Sequence, residues 1–408
     1  MSSTAIATRI DSAAQALSTA RTLAAHFSTG AAARDRDRKL PHREVDELSA
    51  SGLLAITVPA RFGGADLAPG VVAEIVRILA TADPNIAQIP HSHFVYLNLL
   101  RLAGTRTQQQ DIFADVLGGG RIANAQSERG GKTIADISTT ITPVSGGLQL
   151  DGSKFYCTGS LYAHTLAVLA RLEDPDGESG LEPGEYVAFI PADVAGVRIV
   201  DDWNGIGQRT TGSGTITFEA VTVQPGHLVA RAGALNAPAG YGAFAQLLHV
   251  AIDAGIARGA LRAATDFARG KSRPWFEAGV DRAIDDPLLI QRFGELAVEV
   301  RTAEATLAVA GSAVDAAFSA TAENAAERAA EASIAVATAK VVADRAANEI
   351  SSALFEVSGT RSAAAELGLD HFWRNARTHT LHDPVRWKYQ HIGRALLHDA
   401  PPPLHGVI

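Results

Sequence analysis

The residues best suited to chemistry sit in Arg374-Asn375-Ala376-Arg377-Thr378-His379-Thr380-Leu381-His382-Asp383-Pro384. Two imidazoles and a carboxylate share one short segment, and Pro384 stops any regular helix there. An unperturbed imidazole titrates near neutral pH, so His379 and His382 could give or take a proton, with Asp383 as partner. The same pattern equally describes a loop whose polar groups satisfy one another. A second concentration is His91, His93, Tyr96 and Asn98, on an apolar run over 85–104 that reads as one helix. No carboxylate joins these histidines at ligand spacing, which predicts no metal. No Gly-x-Gly-x-x-Gly follows a strand, which argues against direct binding of NAD(P)H.

The elements that must carry these residues come in three blocks. Helices are expected first, with Ile10, Ala14, Leu17, Leu23 and Phe27 at helical spacing behind Asp11 as N-cap. A polar break over 33–38 precedes a helix opening at Pro41, then an extended run over 52–59 and helices over 71–80 and 108–117. From Ile122 to about Val229 the chain turns rich in Thr, Val, Ile and Gly, as strands require, with Asp151-Gly152 as a hairpin signal. Beyond Ala239 the helical period returns over 247–268, 287–317 and an alanine-rich 321–354, before a tail over 401–408 that reads as a surface segment. The division is a helical domain at 1–121, a β domain at 122–232 and a helical bundle with extended tail at 233–408.

Composition narrows the function classes. A chain of 408 residues has room for two or three domains, and 47% apolar with 20% charged residues is ordinary for a soluble globular protein. A net charge of -8 argues against nucleic acid or an anionic membrane as main partner. A single cysteine, Cys157, leaves no intramolecular disulfide and fits a reducing cytoplasm. No run of about 18 apolar residues suggests a membrane span, and the N-terminus lacks a signal-peptide pattern.

Helices, a small β domain, then a bundle: this order resembles the acyl-CoA dehydrogenase superfamily over nearly the whole chain. Ile122-Ala123-Asn124-Ala125-Gln126-Ser127-Glu128 is similar to its first flavin-binding strand and loop. Gly152-Ser153-Lys154-Phe155-Tyr156-Cys157-Thr158-Gly159 resembles Gly-Ser-Lys-x-Trp-Ile-Thr-Asn, with Tyr156 at the tryptophan position. Pro225-Gly226-His227-Leu228 closes the domain in the superfamily's manner, and Leu354 to Thr360 resembles its Gly-rich turn. The departure is at Leu381-His382-Asp383-Pro384, where many dehydrogenases carry Tyr-Glu-Gly-Thr with a glutamate base. Asp383 in that position is one methylene shorter, and a miss of about 1 Å can cost on the order of a hundredfold. His379 to Val385, and Lys271-Ser272-Arg273-Pro274-Trp275, instead resemble the flavin-dependent monooxygenase branch, which includes dibenzothiophene monooxygenases and SfnB-type sulfur-acquisition oxidoreductases. His405-Gly406-Val407-Ile408 suits the sulfur-acquisition subgroup.

The resemblance implies an acyl-CoA dehydrogenase-like fold: an N-terminal helical domain, a central β-barrel-like domain and a C-terminal four-helix bundle, assembled as a homotetramer. It implies a two-component enzyme taking FMNH2 (FAD being possible) from a separate NAD(P)H-dependent reductase. O2 would add at flavin C4a, and the hydroperoxide would pass one oxygen atom to a small organosulfur compound. His382 would be the oxygen-activating group, Thr158 the hydroxyl near N5 and C4a, and Asp383 the partner of His382 or of the flavin. Asn124 and Ser127 would bond the isoalloxazine edge, Tyr156 and Trp203 would pack the ring, and Arg273 and Arg361 would hold the phosphate beside Gly359. His93 best matches the wall of the substrate side, with His91 and Tyr96 beside it. The rivals are an FAD-dependent acyl-CoA dehydrogenase with Asp383 as base, and an N-hydroxylating monooxygenase acting on an amine.

Overall fold

The computed structural model describes residues 7–408; the reading of the extreme N-terminus falls largely on residues 1–6, outside them. Seven helices come first: α1 (Ala13–Ser28), α2 (Ala31–Asp37), α3 (His42–Ala50), α4 (Pro69–Ala82), α5 (Pro84–Gln88), α6 (His91–Ala103) and α7 (Arg106–Leu117). Ser12, not Asp11, caps α1 by accepting from the Gln15 N–H, while Asp11 pairs with Arg9. The expected polar break is helix α2, because its charges turn inward: Arg34 is buried and meets Asp83 and Glu44. The apolar run expected to be extended forms a buried 3₁₀ turn at Leu53–Ala55, a case that periodicity cannot arbitrate. The single helix expected over 85–104 is divided at Ile89-Pro90, Pro90 standing as N-cap of α6.

The strands are β1 (Ile122–Ala125), β2 (Thr140–Val144), β3 (Gly147–Lys154), β4 (Thr165–Leu172), β5 (Glu185–Pro191), β6 (Val197–Val200), β7 (Thr215–Val223) and β8 (Leu228–Ala230). They form one eight-stranded sheet in the order β6-β7-β3-β2-β4-β5-β8, with β1 added beside β4. The β2–β3 hairpin turns at Ser145-Gly146, since Val144 pairs with Gly147. Asp151-Gly152 instead lies inside β3 at a register shift against β7. Glycine is required there because a Cβ would sit 2.5 Å from the Thr139 hydroxyl, at a φ of +148°. Alternate sheet residues form a core of their own, including Leu150, Val168, Ala188 and Phe218.

Short α8 (Arg231–Leu235) leads into three long helices, α9 (Tyr241–Gly270), α10 (Pro287–Phe318) and α11 (Ala325–Ser358). The rest of the expected bundle is α12 (Asp370–His379), on α9 and α11, and α13 (Arg386–His398), on α11. Small residues such as Ala254, Ala257, Ala343 and Ala347 are buried and let α9 and α11 approach closely. The tail does not stay on the surface: Ile408 is buried, and the Lys388 ammonium donates to the Val407 and Ile408 carbonyls. No helix among the described residues is long and apolar enough to cross a membrane.

Candidate active site

Four histidines from three parts of the chain converge between α6, α9 and α12. His91 opens α6, His249 lies on α9, His379 ends α12 and His382 follows it. The His249 ring is 4.0 Å from the His91 ring and 4.2 Å from the His382 ring, centroid to centroid. His91 Nε2–H donates to the Ala245 carbonyl at 2.9 Å, which fixes its ring. Burial is the main cause that pushes these imidazoles down, helped by their mutual repulsion: His91 to about 3, His382 to about 4, and His249 well below its usual value. The cluster is therefore neutral at physiological pH.

Behind it stands a buried set that the motifs did not single out. Asp253 accepts from His379 Nδ1 at 2.5 Å and pairs with Lys340 at 2.8 Å, and Lys340 also meets Asp344 at 2.5 Å. The available signal was local: His249 with Asp253, and Lys340 with Asp344, are i,i+4 pairs on the buried faces of their helices. Asp383 makes no hydrogen bond to His382 among the described residues; its Oδ2 lies 2.5 Å from the Lys388 ammonium, both side chains nearly inaccessible, and its buried Oδ1 has no partner among those residues. His93 is not on a substrate wall either. Its Nδ1 accepts from the Ile122 N–H at 3.1 Å and its Nε2–H donates to the Leu54 carbonyl at 2.8 Å, so one ring nitrogen ties α6 to β1 and the other ties it to the 3₁₀ turn at Leu53–Ala55.

The sheet brings a second set to the same region. Gly159 follows Thr158 at a φ of +82°, and a Cβ there would lie 3.2 Å from the Ile89 carbonyl oxygen, so this turn packs closely on the residue before Pro90. The Thr158 hydroxyl shares a 2.8 Å bond with Ser213, Ser213 a 2.6 Å bond with Thr211, and Thr211 donates to the Gln208 carbonyl. Gln208 N–H donates to Asn375 on α12 at 2.6 Å, linking the hydroxyl chain to the helix of His379. Gly207 makes that docking possible, since a Cβ there would lie 1.9 Å from the Arg374 carbonyl oxygen. Tyr156 is 48% exposed at a φ of +59°, edge-on to Trp203 and under the Arg129 guanidinium. Trp203 donates to the Gln208 carbonyl, and Tyr96 donates to Gln126. Ser127 contributes its carbonyl to the Phe155 N–H. The buried Asn124 Oδ1 has no hydrogen-bond partner among the described residues, as an acceptor awaiting a ligand N–H would.

The third set lies elsewhere. Arg273 follows α9, Gly359 caps α11 and Arg361 donates to the Lys271 carbonyl, so these three gather at one end of the bundle. His249 to Gly270 spans about 30 Å of helix. Within one chain, the residues expected to hold a phosphate and those expected to face the ring are not brought together.

Family models for the acyl-CoA dehydrogenase N-terminal and C-terminal domains match residues 11–120 and 247–387. The dibenzothiophene monooxygenase of Rhodococcus qingshengii is 32% identical over 391 residues, 93% of this chain and 92% of that protein. The probable FMNH2-dependent monooxygenase SfnC of Pseudomonas putida is 33% identical, over 95% of this chain and 96% of its own. The crystal structure of FMN-bound TdsC from Paenibacillus sp. A11-2 superposes with a TM-score of 0.88 at 33% identity, over 96% of this chain and 100% of that one. The chain belongs to the acyl-CoA dehydrogenase family, on the flavin-dependent monooxygenase branch of that family.

Proposed function

We propose that the protein is a two-component monooxygenase, taking FMNH2 from a separate NAD(P)H-dependent reductase and using O2 to oxygenate a small organosulfur compound. The observation that carries this reading is the exchange of a base for a shielded imidazole cluster. Asp383, the acid at the dehydrogenase base position, is held by Lys388, while neutral His91, His249 and His382 stack beside it. Such a pocket lacks the free carboxylate that α-proton abstraction from an acyl thioester needs. It offers uncharged hydrogen-bonding groups in a site closed to water, as oxygen transfer needs.

FMN, when bound, supplies the two electrons and the site at which O2 is reduced. The chain's own residues fit its ring: Asn124 Oδ1 is an unclaimed acceptor for a ring N–H, and Tyr156 presents an open aromatic face beside Trp203. Thr158, anchored through Ser213 and Thr211, holds its hydroxyl fixed, and His382 is the group we assign to donate to the reacting oxygen. Related enzymes named for dibenzothiophene support a sulfur-containing substrate.

Arg273 and Arg361 are assigned to the phosphate of a flavin seated in a neighbouring copy, because the helix between them and His249 is longer than one FMN. A homotetramer supplies such copies, and a shallow apolar groove of about 620 Å³ along α10 and α11, lined by Val298, Ala305, Val309 and Ala335, offers surface for packing. Cys157 is buried, with its thiol pushed up to about 12 by burial, which suits a reducing cytoplasm.

The test is product analysis with a flavin reductase, NADH, FMN and a panel of sulfides, sulfoxides and thiophenes under ¹⁸O₂. One labelled oxygen in the sulfur product is expected. Enoyl product from an acyl thioester, with no oxygenation, would overturn the reading.

A further inference from the structure

A line of hydrogen-bonding groups runs inward from the candidate site. Lys340 Nζ is 2.8 Å from Asp253 Oδ2, Asp253 Oδ1 is 2.5 Å from His379 Nδ1, and His379 Nε2 is 3.1 Å from His249 Nδ1. Asp253 and Lys340 are 0% exposed, packed with buried Asp344 and His249 inside an interface built largely of alanine and aliphatic residues. A buried ion pair is often replaceable by apolar side chains without loss of stability, so packing alone does not account for it.

The direction of the bonds does. With the Lys340 ammonium on Oδ2, Oδ1 of Asp253 accepts the Nδ1–H of His379. Neutral His379 then presents a bare Nε2, which accepts the Nδ1–H of His249. His249 is left with a bare Nε2, on a ring lying between those of His91 and His382.

We propose that Asp253, held by Lys340, is a positioning residue that fixes the tautomers of His379 and His249 and forms the inner end of a proton wire leading from the His91–His382 pair. A proton taken up at His249 Nε2 is matched by transfer of the His249 Nδ1 proton to His379 Nε2, and of the His379 Nδ1 proton to Asp253 Oδ1. Each nitrogen keeps its electron pair, the two tautomers invert, and the chain holds one additional proton as the carboxylic acid. Burial disfavours an imidazolium on either ring, so neither His379 nor His249 is the resting place of the proton. The other charged groups around the chain are Asp344 on α11, bonded to Lys340, and the Asp383–Lys388 pair. Asp383 and Lys388 match one another, whereas Asp344 shares the Lys340 ammonium with Asp253, and burial and the Asp253 charge push its carboxyl up to about 8. The inference rests on the oxygen-transfer reading: a sulfide, O2 and FMNH2 give sulfoxide, water and FMN, and the wire holds one of the two protons bound for water without releasing it to solvent.

The test uses the full chain with D253N, which cannot take up the proton, and D253N/K340M, which removes both charges together if the single variant fails to fold. The first measurement is ¹⁵N-histidine NMR of the flavin-free protein. His379 and His249 are expected as Nδ1–H tautomers in the parent protein, and both variants are expected to lose that pattern. Nε2–H tautomers in the parent, or an unchanged pattern in the variants, would overturn the wire. The second measurement is sulfoxide formed per NADH across pH, with reductase, FMN and a sulfide. Product yield is expected to fall by about a hundredfold with a displaced pH profile and an unchanged Kd for FMN, the lower range for a positioned acid–base group. A wild-type yield and profile in the variants would also overturn it. Failure of the parent protein to form any sulfoxide would remove the oxygenase reading instead, while the NMR result still decides the tautomers.

Discussion

Asp383 Oδ2 and Lys388 Nζ lie 2.5 Å apart, and neither side chain is more than 2% exposed. The acid that follows His382 is thus tied to the first turns of α13, and α13 in turn holds the tail through the Val407 and Ile408 carbonyls. Removing the lysine leaves a buried carboxylate alone, so Lys388→Met is expected to destabilise the fold by about 3–5 kcal/mol. Urea unfolding followed by circular dichroism measures this; a change below about 1 kcal/mol would mean that Asp383 finds another partner.

His382→Ala is expected to reduce oxygen transfer by about a hundredfold or more while leaving FMN affinity and the unfolding midpoint near those of the parent. Sulfoxide yield and hydrogen peroxide release, measured together, are the check. Unchanged turnover would remove His382 from the reaction.

Stability should fall in mild acid. The imidazoles of His91, His379 and His382 are held by burial near 3, 3 and 4, below the 6.5 of an exposed histidine. Between those values the unfolded chain binds protons that the folded chain refuses, so stability present above about pH 6.5 is lost as pH drops toward 4. Denaturation midpoints at pH 7.5 and pH 5 test the direction. An equal or higher midpoint at pH 5 would mean that these rings are charged in the folded protein.

Arg273→Ala is expected to weaken FMN binding by about tenfold or more, as loss of a charge-assisted phosphate contact would, without altering the fold. Fluorescence quenching of added FMN gives the dissociation constant, and an unaltered value would place the phosphate elsewhere.

Periodicity carried the long helices, since α9, α10 and α11 each offer several turns of repeated pattern. It failed where charge or glycine carried a tertiary meaning. Arg34 and Asp35 read as solvent-facing because nothing local announces Asp83 and Arg374 as their partners. Asp151-Gly152 read as a turn because a bulge demanded by Thr139 uses the same residue types. At the site, the cluster near Pro384 was legible from the density of imidazoles in one segment. His249 and Asp253 were not, because nothing along α9 marks them as facing α11 and α12, from which they acquire their role. His93 read as a substrate-side group; only the packed structure shows both of its nitrogens taken by the backbone.

The 30-residue span of α9 has a genetic corollary. With His249 near its start and Arg273 just past its end, a pocket completed by a neighbouring copy, as proposed above, would be crippled in different halves by lesions at His382 and at Arg273. Co-refolding H382A with R273A should then yield mixed assemblies in which some pockets inherit both intact halves. At FMN concentrations below saturation, such a mixture would recover more turnover than either parent alone.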